Sequence, residues 1–469
     1  MCHHQLLLSC LFVLCFDLSV SKRVFFRNCG EGGFSCTNTK DITFQCPNDT
    51  NGLIFMVNQF ASPFNIETLK IRDCKNLTIS LRCSSEQKNI QYLHINNIGV
   101  LNMERLQYQS QLPPKVVLEN IGYMETIPSF TFSQIDKRLH TINCFKPKED
   151  FNDILVKNVN IHTVQSNAFN MPNDFGNVTF INVTIHRLQS SAIVTKLSTT
   201  SNFFFESSAV EYTESLAFRI YGKIAIFREN KFLEISPNGI NGTLGSFSFY
   251  KNFVNILQPH SISLISQNVY IQDNRFEYLK SGALEKISPG LLDDISGRNF
   301  GRLKFIYEFK GNCINFMDAG CLNPDFEAYE TVASDIILSE NSIFCSCENS
   351  AWLISGTGHG YNTAPIESFY EVFLDEENQN NCSYTCNLPI AKTKMLLQNG
   401  KCMDNISMEW LCQNKGLPFL SATTPEQEQL IAAKSASNCL TLTSHVLSVV
   451  LVSIMYTSKI IQKLSSCLL

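Results

Sequence analysis

The apolar residues of this chain fall into columns that repeat along most of its length. Asparagines stand at 230, 252 and 274, each the fourth residue of a similar segment: FRENKFLEISPNGI, FYKNFVNILQPHSI and IQDNRFEYLKSGAL. Extending the frame places Val159, Val183, Ser208, Asn230, Asn252, Asn274, Asn312 and Asn341 at one position, with steps of 24, 25, 22, 22, 22, 38 and 29 residues. Three residues earlier stand Val156, Phe180, Phe205, Phe227, Phe249, Ile271, Phe309 and Leu338. Two residues later stand Ile161, Ile185, Val210, Phe232, Val254, Phe276, Ile314 and Ile343. Five later come Val164, Leu188, Thr213, Ile235, Leu257, Leu279 and Met317, and ten later Phe169, Ile193, Phe218, Ile240, Ile262, Leu284 and Leu322.

A unit of this size cannot bury its apolar face alone, so the pattern predicts a solenoid whose coils stack into one shared core. Period-two alternation, as in SISLI, and the richness in Val, Ile and Phe predict short strands. The expected fold class is all-β, a parallel β-solenoid. Stacked asparagine amides would satisfy one another and the turn backbone. The long steps predict loop insertions of about 16 and 7 residues.

The columns resemble the right-handed parallel β-helix of the pectin-lyase-like superfamily over roughly residues 90–345. That resemblance concerns architecture and implies no particular activity. The spacing around each asparagine also resembles a leucine-rich repeat solenoid. IPSFTF (127–132) is similar to that family's Ile-Pro turn, and IFCSCENSAWLI (343–354) to its cysteine-rich cap. Against this, the family's leucine eight residues before the asparagine is replaced by Gly222, Ser266 and Lys304, with only Leu244 fitting, and no helical period marks the back half of the unit.

The ends have a different composition. Residues 1–21 read as a signal peptide, with an apolar run from Leu6 to Val20 and small residues Ser19 and Ser21 before Lys22. Residues 22–90 are a cysteine-rich cap with the first coils, 91–344 the repeat solenoid, and 345–412 a second cysteine-rich cap. A polar linker follows at 413–437. Residues 438–469 read as a glycosylphosphatidylinositol (GPI) attachment signal, with Ser435 and Ser437 as candidate attachment residues, or as a single transmembrane span over Leu440–Tyr456. Lys459 and Lys463 favour the span. Either segment predicts a tether to the outer face of the plasma membrane.

Fourteen cysteines outside the signal and tail make an even set, expected to form disulfides in an oxidising compartment: Cys29, Cys36, Cys46, Cys74, Cys83, Cys144, Cys313, Cys321, Cys345, Cys347, Cys382, Cys386, Cys402 and Cys412. None lies between 144 and 313, so the ends are stapled and the middle is not. Asn48, Asn76, Asn177, Asn182, Asn241, Asn381 and Asn405 head N-x-S/T sequons, which suits a secreted glycoprotein.

The net charge of −5 argues against nucleic acid as a partner. Catalysis by a β-helix needs clustered acids. Asp273, Arg275 and Glu277 share one coil, but the coil before offers Lys251, Phe253 and Asn255 at the same positions, and Asp293 and Asp294 fall in an insertion. His162 and His186 occupy one coil position and are placed to stack, without further metal ligands beside them. HGYN (359–362) lacks a phosphate-loop pattern. The sequence therefore predicts a non-enzymatic, surface-tethered recognition, adhesion or structural protein that uses no cofactor and binds an extracellular protein or glycan. The alternatives are a β-helix carbohydrate-active enzyme and a leucine-rich-repeat receptor-like protein.

Overall fold

A computed structural model describes residues 22–24, 30, 32–37, 40–47, 53–56, 66–80, 90–104, 113, 115–133, 153–197, 202–291, 304–345, 372–383 and 387–390. The signal, the linker, the tail and the 359–362 stretch lie outside them, as do Asn48, Asn405, Ser435, Ser437 and Cys29, Cys83, Cys144, Cys347, Cys386, Cys402 and Cys412.

The chain is a parallel β-solenoid. Each regular coil has three strand segments, which build three faces, here called A, B and C. In the coil that holds Asn252, the strand Ile240–Tyr250 runs along face A and bends into face B, and Phe253–Leu257 then forms face C. Strands pair in parallel with their equivalents one coil away, in the register of the sequence columns. On face B, Val156 pairs with Phe180, and the column continues through Phe205, Phe227, Phe249, Ile271, Phe309 and Leu338. On face C the column runs from Ile161 through Ile185, Val210, Phe232, Val254, Phe276 and Ile314 to Ile343. These residues are almost fully buried and belong to one continuous core. The back half of the coil is strand, so the leucine-rich repeat reading is set aside.

The corner from face B to face C is turned by one residue in the left-handed region. It recurs at Asp73, Asn97, Asn120, Asn158, Asn182, Ser207, Glu229, Lys251, Asp273, Gly311, Glu340 and Gln379. Non-glycine residues resist this conformation, asparagine and aspartate least, so the corner is held by the contacts around it. The frame accordingly extends beyond 159–341, to Cys74 at one end and Asn380 at the other. In the early coils one extra residue follows the corner, seen as a register shift between Ile121 and Met124 where they pair with the next coil.

The contacts at the corner are the asparagine ladder. Asn252 donates Nδ2 to the carbonyl of Phe227, 2.9 Å, and to Asn274 Oδ1, 3.0 Å, while its own backbone N–H donates to the same Asn274 Oδ1 at 2.8 Å. The pattern repeats at Asn230, Asn274, Asn312 and Asn341. Ser208 starts it by donating its N–H to Asn230 Oδ1, and Asn380 ends it by donating to the carbonyls of Leu338 and Phe373. All these asparagines are buried.

Insertions leave the stack intact. The 29-residue step holds one helical turn, Phe326–Glu330, capped by Asp325, and the 38-residue step ending at Asn312 contains residues 292–303, outside the described set. Antiparallel hairpins lie at both ends, Phe34–Cys36 against Asp41–Gln45 and Asn381–Ser383 against Asn387–Pro389. Such strands cover backbone that an open solenoid end would leave unpaired. Disulfides tie these ends to neighbouring coils, Cys46 to Cys74 and Cys345 to Cys382. Cys36 and Cys313 are also disulfide-bonded.

One cysteine departs from expectation. Cys321 is a free thiol, fully buried beside Tyr307. Burial disfavours the charged form and pushes its pKa far up, so it behaves as a small core residue rather than as a disulfide partner.

Replacing Asn274 with alanine strands the Asn252 donors and the Phe249 carbonyl in the core. Each buried unpaired group costs about 1–3 kcal/mol, so Asn274→Ala should lower unfolding free energy by about 4 kcal/mol. Asn255→Ala, on the outer side of face C, should change it by less than about 0.5 kcal/mol. Chemical denaturation of the two variants checks both.

Candidate functional site

The three outer faces differ in what they expose. Along face C the positions one, three and four residues after the ladder point outward. They place Tyr212, Glu234, Ile256, Tyr278 and Phe316 in one column, in successive parallel pairings. Tyr278 and Phe316 stack at 4.8 Å with rings 11° from parallel, yet remain 38% and 39% exposed. Phe316 also meets Phe344, with ring centroids 6.2 Å apart. Cations lie over aromatic rings of this face: Arg275 over Phe253 at 5.9 Å and Lys280 over Tyr278 at 5.8 Å. The result is a short ridge of rings, Tyr278 and Phe316 with Phe344 beside them, on the outer side of a parallel sheet.

Further along the same face lies an open groove of about 380 Å³, lined by His186, Arg187, Tyr212, Thr213, Glu214, Glu234 and Ser236. Tyr212 is 46% exposed. His162 and His186 stack as the sequence implied, at 4.7 Å and 12°. His186 in turn meets Tyr212 edge-on at 5.5 Å and pairs through Nδ1 with Glu211. Arg187 Nε donates to Glu214 Oε1 at 2.7 Å, and the other oxygen of Glu214 accepts from the Ser190 N–H at 3.0 Å. Gln258 donates to Glu234 at 2.8 Å. Glu214 and Glu234 thus line the groove with Arg187, which Glu214 pairs, while Glu211 pairs with His186 beside it.

The groove suits non-covalent contact. The paired ionic groups at and beside it are between 31% and 57% exposed, so they remain hydrated and easily exchanged. Among the described residues, no group of three His, Cys, Asp or Glu side chains is arranged to hold a metal ion. The acids singled out from the sequence serve other ends. Arg275 and Glu277 form an exposed-face pair at 3.7 Å, and Glu277 accepts from Asn315. Asp273 is a corner residue whose carboxyl is raised by burial. Asp293 and Asp294 lie outside the described residues. Sequence reading missed the acids at 211, 214 and 234 because they sit three, six and four residues after their ladder positions. The parallel register nevertheless places Tyr212 between Arg187 and Glu234.

The described sequons frame this surface. Asn241 lies on face A beside Gly242, whose position admits no side chain because a Cβ there would meet the Ile220 carbonyl. Asn177 precedes a face B strand. Asn182 is a face B to C corner, and its Nδ2 donates to Asn158 Oδ1 at 2.9 Å in an exposed amide ladder. Asn76 and Asn381 lie on face C near its two ends. No helix among the described residues is long and apolar enough to cross a membrane.

Because Tyr212 is exposed and Phe276 is stacked in the core, the two should respond oppositely to truncation. Tyr212→Ala should leave the unfolding midpoint nearly unchanged, whereas Phe276→Ala should cost about 3–5 kcal/mol. Thermal and urea melts of both variants measure the difference.

No family model matches this chain, and neither a curated protein nor a solved structure was found that resembles it.

Proposed function

We propose that this chain is a non-enzymatic recognition protein of the extracellular surface, a pectin-lyase-like β-helix that acts by contact rather than by turnover. Face C is its contact surface. The observation that carries this reading is the stacked pair of part-exposed rings Tyr278 and Phe316, with Tyr212 exposed in the same column three coils away. Soluble surfaces seldom expose clustered large rings without a partner, and aromatic residues supply much of the affinity at interfaces. The sequons fit the same arrangement: glycans at Asn177, Asn182 and Asn241 would shield face A and the corners, leaving the middle of face C open. An extracellular protein or glycan is the partner class, and the tail tethers the molecule to the membrane, through a GPI anchor near Ser435 or Ser437 in the favoured version.

Binding of the recombinant extracellular region to partner-bearing cells, read by flow cytometry, tests the surface. Tyr278→Asp with Phe316→Asp should weaken it at least tenfold with unchanged melting, while Ile265→Asp on face A should leave it intact. Equal binding by all three proteins, or polysaccharide cleavage abolished by one acidic substitution, sinks the reading. The tether has its own test: phosphatidylinositol-specific phospholipase C should release the full-length protein from expressing cells. Retention until detergent is added would replace the lipid anchor with the Leu440–Tyr456 span.

A further inference from the structure

We propose that face B pairs with face B of a second copy of this chain, about a two-fold axis through the coil of Thr179 and Ile181. The inference concerns a different face from the contact reading above and stands apart from it. Two outward rows of face B carry it. The first row follows the parallel pairings through Glu119, Lys157, Ile181, Glu206 and Arg228. Its charges run negative, positive, neutral, negative, positive. Reversed, the row is its own opposite: Glu119 meets Arg228 of the second copy, Lys157 meets Glu206, and Ile181 meets Ile181. Within one chain the charges already pair along the row, Lys157 with Glu119 and Arg228 with Glu206, each at 3.0 Å, and they stay 17–47% exposed. Each pair is a small dipole with an open outer side, and the second copy sets an opposed dipole against it.

The second row is largely apolar in the same coils. Leu155, Thr179, Phe204 and Ile226 follow one another in the pairings, and all are part-exposed. About the same axis Leu155 meets Phe204, Ile226 meets Val117, and Thr179 meets itself. A two-fold contact requires such self-complementarity, because one patch serves both partners. The register is specified as well. Sliding the second copy by one coil sets Lys157 against Arg228 in one direction and Glu119 against Glu206 in the other, like charge against like. One coil further out, the axis brings Asn96 to Tyr250 and His94 to Ser248, again without like charges. The seven coils from Tyr92–Met103 to Ile240–Tyr250 rise by about 4.8 Å each and offer about five residues of strand apiece. That is about 500 Å² per copy and about 1,000 Å² in the pair, the lower bound of a specific interface, so the dimer is a reversible one. Asn177 precedes the strand of the central coil and Asn182 turns its corner, so glycans there would border the contact at its two edges.

The test is oxidative cross-linking of the full-length chain on expressing cells with copper phenanthroline, read on non-reducing gels at matched surface levels. Ile181→Cys should give a covalent dimer, because that residue meets its own counterpart. Tyr270→Cys, on the same face but four coils from the axis, should not, since the axis holds its two copies about 38 Å apart. Glu206→Arg with Arg228→Glu reverses one dipole while keeping its own ion pair and the net charge. It should cut the Ile181→Cys dimer at least fivefold. Adding Glu119→Lys with Lys157→Glu reverses the other dipole and should restore the dimer. The proposal is overturned if Ile181→Cys yields no more dimer than the unmodified chain, or if Tyr270→Cys yields as much. It is overturned too if the first exchange leaves the dimer unchanged or the second fails to restore it. Loss of the Ile181→Cys dimer on adding Tyr278→Asp with Phe316→Asp would overturn it by placing the contact on face C instead.

Discussion

The fold depends on the corner between faces B and C, where a single residue reverses the chain in a conformation most side chains resist. That corner would be unstable in isolation. It holds because each ladder asparagine supplies two donors and one shared acceptor to the coils beside it. A buried amide of this kind is favourable only when all its groups are paired. The ladder therefore links neighbouring coils energetically as well as geometrically. The apolar columns supply most of the driving force for stacking, but they would tolerate a slipped register better than the ladder does.

Cysteine is used unevenly along the same stack. Between Ser208 and Asn380 the corners are pinned by hydrogen bonds from coil to coil. At the amino-terminal end the same position is held by Cys74, bonded to Cys46, and at the other end Cys345 and Cys382 join the last coils. Among the described residues the two paired disulfides lie towards the ends of the stack, and Cys313, inside the ladder, is bonded as well.

Much of this was legible in the sequence because a solenoid repeats its instructions. Asn230, Asn252 and Asn274 set the frame, and the columns of Phe205, Phe227 and Phe249 or of Phe232, Val254 and Phe276 then gave the strand register directly. The early coils were harder: Cys74, Ile98 and Ile121 occupy the ladder position without an amide, and the extra residue near Met124 shifts the phase. Cys321 was misassigned because parity among cysteines says nothing about which one is enclosed by core. The groove was hidden for a different reason. Its acids come from different phases of consecutive coils, so they converge only when strands are laid side by side, whereas Asp273, Arg275 and Glu277 are close in sequence and were noticed first.

Parallel stacking fixes one more quantity, the distance between features on face C. Coils rise by about 4.8 Å, so the three steps from Tyr212 to Tyr278 separate groove from ridge by about 14 Å. Neither feature can move relative to the other without breaking the sheet between them. On the proposed contact reading the face would work as a ruler. A partner whose own contact points match that interval engages both at once, the second contact forming at high effective concentration after the first. A partner with the right chemistry at the wrong interval would gain only one, so on that reading discrimination would reside in spacing as much as in side chains.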